Sequence, residues 1–223
     1  MKRFLCLLLV FCCCTGLLVA CSSEGEESSM NTLDTSFDFD QRTTEDDSLT
    51  AKGYPPLPLD QQILWQDAHE MVGSFALCHF KTATGLTREI DGMTYDVIAD
   101  ERFPLYTDLV TYLQRFFTDE FIYNSLLTAN SPVKPSQEQL ACVIQASGAD
   151  NATYAGHVFT VDSVLPDRVT FTAKVYYVKS GVAGDPFYKT PKNPNAYTTK
   201  DLGYEMVMTD NGWRFAQCPY LKG

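Results

Sequence analysis

The sequence predicts an α+β protein, with N-terminal helices packed on a C-terminal antiparallel sheet. Apolar residues recur at helical spacing between residues 60 and 128, then alternate from residue 157 onward. Two tight-turn signatures, Asp91-Gly92 and Asp210-Asn211-Gly212, sit between runs of strand formers. Helices come first and most of the antiparallel strands after, which places the chain in the α+β class.

Each element has its own reason. Asp60 is the expected cap of a first helix running to about Cys78, with Leu64, Ala68, Met71, Phe75 and Cys78 on one face and Trp65 and Val72 widening it. Leu86 to Ile90 and Met93 to Ile98 flank Asp91-Gly92, the preferred pair where both turn residues need positive φ. Thr107 caps the next expected helix, whose inward residues are Leu109, Val110, Leu113, Phe116 and Phe117. A further helix starts at Thr118, with Asp119 and Glu120 at its positive end, and runs to about Thr128 before Asn130-Ser131-Pro132 stops it. Leu140 to Ile144 reads as a short buried strand, and residues 145–156 as a loop. Residues 157–164 and 168–179 are two strands around Pro166-Asp167. In the second, Val169, Phe171, Ala173, Val175 and Tyr177 share one face. Residues 180–200 form a long connection with Pro186, Pro191 and Pro194. A hairpin of 202–209 and 213–217 closes the chain.

Ahead of this domain, Lys2-Arg3 precedes an apolar run over residues 4–20, and Leu18-Val19-Ala20-Cys21 ends it. A basic start, a short apolar core and small residues at its end describe an export signal. The run is at the lower edge of what spans a bilayer, and no basic stop-transfer cluster follows. Leu18 to Cys21 resembles the lipobox of bacterial lipoproteins. The resemblance implies a diacylglyceryl group on the Cys21 sulfur and cleavage just before it. Residues 1–20 are then a signal peptide, and the protein sits on the extracellular face of the cell membrane, lipid-anchored. Two or three acyl chains hold a protein stably where one does not.

Residues 21–56 are expected to be a lipidated cysteine and a disordered acidic tether, and 57–223 a single α+β domain. Residues 22–53 carry nine acids against Arg42 and Lys52, a net charge of −7, with few large apolar residues. Such a segment buries too little apolar surface to offset its ordering entropy. Asp34, Phe37, Asp38, Phe39 and Asp40 within it can alternatively be read as a docking motif. The whole chain is at −11, and 57–223 alone, with 13 basic and 19 acidic residues, at −6. That balance argues against a nucleic-acid partner and favours a basic protein surface.

No chemistry-bearing motif stands out. His69, His79 and His157 are dispersed, without HExxH spacing or a zinc-spaced cysteine pair, so neither metal nor cofactor is expected. Cys78-His79 are adjacent and point apart on either a helix or a strand, so His79 cannot serve Cys78 as a base. Cys78, Cys142 and Cys218 are the cysteines of the domain. Cys142 and Cys218 can pair, or all three can be small buried apolar residues. Asp119-Glu120 is read as a pair of helix-dipole partners, and Asp96, Asp100 and Glu101 as a solvated edge. Loops carry binding work, so Asp150 and Asn151 in the first long loop and Tyr188 and Tyr197 in the second are the candidate partner-binding residues.

The order of elements then carries a second resemblance. Gly92-Met93-Thr94-Tyr95, the run from Leu105-Tyr106-Thr107-Asp108-Leu109 through Tyr112-Leu113 into Phe116-Phe117-Thr118, and the closing Asp210-Asn211-Gly212-Trp213-Arg214-Phe215 resemble the secreted inhibitors of bacterial D,L-endopeptidases. The similarity covers most of residues 57–223. It implies a non-catalytic protein that docks on a cell-wall cysteine peptidase, covers its cleft and restrains lysis of the peptidoglycan. The tether and the 180–200 connection depart from that pattern, and no inhibitory residue carries over. Two other readings stay open: a cystatin-like lipoprotein binding a small ligand in a pocket between helix and sheet, and a hydrolase using Cys78, His79 or His157.

Overall fold

Two four-stranded antiparallel sheets and three α-helices make up residues 49–223, the part of the chain that the computed structural model describes. The expected signal peptide, Cys21 and most of the tether lie outside the described residues.

Helix α1 (Leu59–Leu77) is the first element. Pro58, not Asp60, is its N-cap, and Asp60 sits inside the first turn, where its charge faces the positive end of the helix. Trp65, Ala68, Met71, Val72 and Phe75 are buried along one face, as the spacing requires. Cys78 ends the helix in the left-handed region at φ 56, and the Cys78 and His79 N–H groups turn back onto the carbonyls of Phe75 and Ser74.

The first sheet follows, with β1 (Thr82–Ile90), β2 (Met93–Ile98), β3 (Val133–Pro135) and β4 (Ala141–Ile144) in the order β1-β2-β4-β3. Asp91 and Gly92 both have positive φ, 53 and 76, and join β1 to β2 in a two-residue turn whose Ile90 and Met93 pair. Between β2 and β3 lie α2 (Tyr106–Leu113) and α3 (Asp119–Phe121). Leu105 is the N-cap of α2, and the Asp108 carboxylate reaches back to accept the Leu105 N–H at 3.2 Å; Thr107 is already helical and caps nothing. Thr118 does cap α3, its Oγ1 accepting the Phe121 N–H at 3.2 Å. The expected continuous helix from 118 to 128 is instead one α turn running into a π-helical turn, Ile122–Leu126. Leu109 and Leu113 are wholly buried, with Phe116, Phe117 and Ile122 beside them.

The second sheet is a meander of β5 (Tyr154–Leu165), β6 (Arg168–Val178), β7 (Tyr197–Thr209) and β8 (Gly212–Gln217). The β6 alternation is real: Val169, Phe171, Ala173 and Val175 are all buried. Phe171 stacks on Tyr204 of β7 at 4.9 Å, and Trp65 of α1 meets Phe159 of β5 edge-on at 5.3 Å. The main core gathers these residues with those of α2 and α3, while Tyr95, Val97 and Cys142 form a small separate cluster in the first sheet.

Three expectations about the strands change. The strands form two sheets, not one. β7 begins at Tyr197, so the end of the 180–200 connection is strand, and β3 forms where only a helix stop was expected. Of the two readings of Cys142 and Cys218, the structure has the buried, unpaired one, since they belong to different buried clusters.

Candidate functional site

Where β5 begins, it meets a strap from upstream of α1, the helix itself and the C-terminal segment. His157 stands at the junction. Its Nε2 lies 2.9 Å from the Gly53 carbonyl and its Nδ1 2.5 Å from the Tyr154 hydroxyl. A carbonyl only accepts, so Nε2 carries the proton and Nδ1 accepts from Tyr154. Burial lowers the pKa of His157 to about 4, the Gly53 carbonyl opposing and Lys222 adding to the shift. Burial likewise pushes the Tyr154 hydroxyl well up. The Tyr188 ring meets His157 at 5.2 Å and also covers Gly53, whose φ of +85 and lack of a side chain leave room for that ring.

His69, on α1, is layered between Trp65 at 5.0 Å and Tyr220 at 5.4 Å, both nearly parallel to it. Its Nε2 accepts the Leu221 N–H at 3.3 Å. Burial lowers its pKa to about 4, with further lowering from the charges of His157 and Lys222 and a small opposing pull from Asp150. The two histidines, dispersed in the sequence, are therefore electrostatic neighbours in the fold. Gly73 makes this packing possible, since the Tyr220 ring lies 3.0 Å from where a Cβ would stand.

Asp150 and Asn151 fasten the C-terminal segment. Asp150 accepts from the Tyr220 hydroxyl and from Lys222 Nζ, the latter at 2.9 Å. Burial raises its pKa, but those two hydrogen bonds and the Lys222 charge hold it below the ordinary carboxylate value. The Asn151 N–H donates to the Lys222 carbonyl at 2.9 Å, while its side-chain oxygen accepts from the N–H and hydroxyl of Thr153 and fixes the turn into β5. Tyr204 and Tyr177 donate to the carbonyls of Pro219 and Gly223 at 3.0 and 3.2 Å.

Tyr197 sits apart. It pairs with Val178 and packs on Tyr176 and Phe187, on the sheet face opposite His157. Phe187 anchors the connection that follows β6. Its N–H donates to the Ala155 carbonyl and its carbonyl accepts the His157 N–H, both at 3.0 Å. Gly156, at φ +140, allows that approach; a Cβ there would fall on the Phe187 carbonyl. The structure thus joins Asp150, Asn151 and Tyr188 around one junction and leaves Tyr197 outside it. Sequence reading missed Tyr154, Tyr220, Lys222 and Gly53. The signal available was the aromatic and basic character of Tyr220-Leu221-Lys222 beside the closing hairpin.

Burial raises the thiol pKa of Cys78, Cys142 and Cys218. Both ring nitrogens of His157 are engaged, and His79 is exposed. Cys78 opens on a shallow hollow of about 400 Å³ with Phe80, Thr82, Asp96 and Gln145, where Gln145 donates to Asp96 at 2.7 Å. A second hollow of about 280 Å³ lies between α1 and Tyr220-Lys222. Among the described residues no group of three His, Cys, Asp or Glu side chains is placed to hold a metal, and no helix is long and apolar enough to cross a membrane. No protein-family model matches the chain, and no curated protein sequence does.

Proposed function

We propose that this chain is a membrane-anchored lipoprotein of the bacterial cell surface that binds and inhibits peptidoglycan D,L-endopeptidases, and that it performs no catalysis of its own. The observation that carries the reading is the pairing of the Leu18–Cys21 leader with the Leu105 to Thr118 run that resembles the secreted inhibitors of those enzymes. The net charge of −6 over residues 57–223 supports it, since an acidic body is steered to a basic cleft. The protonated thiols and the fully engaged His157 also support a part played by covering a surface. In this reading α1 across the β5–β8 meander is a cystatin-like arrangement. The contact of Trp65 with Phe159 fills the space between helix and sheet, which favours docking over a ligand pocket there.

The test is to titrate the full-length protein into a D,L-endopeptidase digesting purified peptidoglycan. Inhibition that saturates near one equivalent and weakens with added salt is expected. Undiminished hydrolysis at saturating protein overturns the proposal.

A further inference from the structure

We propose that the free edge of β5, residues 158–165, takes an extended segment of a partner protein as a fifth strand, and that this segment alternates apolar and basic side chains. An added strand is held through its backbone, whichever protein supplies it.

The other sheet edges are closed or broken. The chain at Phe116 to Thr118 covers β8, with the Phe215 N–H donating to Phe116 and the Phe215 carbonyl accepting from Thr118, at 2.8 and 3.0 Å. β3 is three residues long and ends in Pro135. β1 loses its pairing from Thr82 to Thr87, around Gly85 at φ +72, whereas β5 carries a one-residue bulge between Val161 and Ser163 and stays paired with β6 on both sides of it. On β5 the Phe187 backbone closes the edge at Ala155 and His157 and then stops. Alternate backbone groups along a strand share a direction. The His157 N–H points away from β6, so those of Phe159 and Val161 do as well, and β5 pairs with no other strand among the described residues. Phe187 thus marks the line an added strand would continue.

The surroundings choose the occupant. Thr160 and residues 162–168 are exposed, and Val164 and Leu165 are half exposed. Unpaired edges of this kind are what strand addition uses, and natural proteins otherwise blunt them. Residues 158–167 contain Asp162 and Asp167 and no basic residue, while Arg168 is taken by Glu205 at 2.7 Å. Apolar side chains of an added strand would lie beside Phe159 and Val161, and basic ones near Asp162. A second copy of the same edge would instead bring four carboxylates to one seam with no cation among them.

The probe is an eight-residue peptide alternating valine and lysine, blocked at both ends, with the valine–glutamate peptide as control. Amide hydrogen exchange of the full-length protein is followed by NMR and binding by fluorescence anisotropy. The lysine peptide should slow exchange at Phe159 and Val161 at least tenfold and bind at least tenfold tighter than the glutamate peptide. Val161→Pro removes an outward N–H together with a side chain packed against the core, and should weaken binding tenfold or more. If that variant does not fold, Asp162→Lys, which leaves the backbone intact, should shift the preference toward the glutamate peptide. No protection at millimolar lysine peptide, protection elsewhere, or equal binding of both peptides overturns the proposal. So does protection of the same amides that grows with protein concentration alone, which would make a second copy the occupant.

Discussion

Acid should unfold this domain through two histidines before its carboxylates matter. His69 and His157 have pKa values near 4 in the fold against 6.5 for the free side chain. Between those values the unfolded chain binds protons that the native state refuses, so stability rises with pH and falls on acidification. Each histidine is then worth about 3 kcal/mol lost between pH 7 and pH 4, since a tenfold change in proton affinity is about 1.4 kcal/mol. Together they reach about 6 kcal/mol, comparable with the whole stability of many domains, about 5–15 kcal/mol. The loss concentrates where the pair sits: protonated His69 no longer accepts the Leu221 N–H, and its charge faces His157 and Lys222. Urea unfolding at pH 7.5, 6.5, 5.5 and 4.5 measures it, and the slope should approach two protons near pH 5. His69→Phe keeps the stack on Trp65 and Tyr220 and should halve that slope. A stability constant from pH 7 to 4.5, or imidazole titrations by NMR centred near 6.5 for both residues, would refute the reasoning.

Other expectations follow from single contacts. Gly156→Ala puts a Cβ onto the Phe187 carbonyl and strains a positive φ, so it should cost about 2–5 kcal/mol by urea denaturation and expose the Phe187 amide to fast exchange. Phe171→Ala removes a ring packed on Phe159, Tyr204 and Phe215 and should cost about 3–5 kcal/mol in the same assay. Native Cys142 and Cys218, both buried, should resist a thiol reagent that labels half-buried Cys78, and all three should react once the protein is unfolded.

Local signals were legible and distant ones were not. Asp91-Gly92 announced its turn because both positions demand positive φ, and α1 was readable from one face repeated over five turns. The Thr118 cap was readable for the same local reason, whereas Leu105 escaped notice because an apolar N-cap has no side-chain acceptor and relies on Asp108 from inside the helix. β3 is too short for any period to show, and the start of β7 is polar, so its strand character comes from pairing with β6. The division into two sheets depends on contacts such as β2 with β4, more than forty residues apart, which no window of sequence contains. The junction was hidden for a similar reason. His157 is held by a carbonyl 104 residues away and His69 by an amide 152 residues away, and backbone groups leave no trace in residue type.

The strap at Gly53 also decides where force enters the molecule. Traction on the upstream chain would arrive at His157 and so at β5, as well as at the first turn of α1. The ladder between β5 and β6 runs almost the full length of both strands, so many rungs divide a load that a lone helix end would bear by itself.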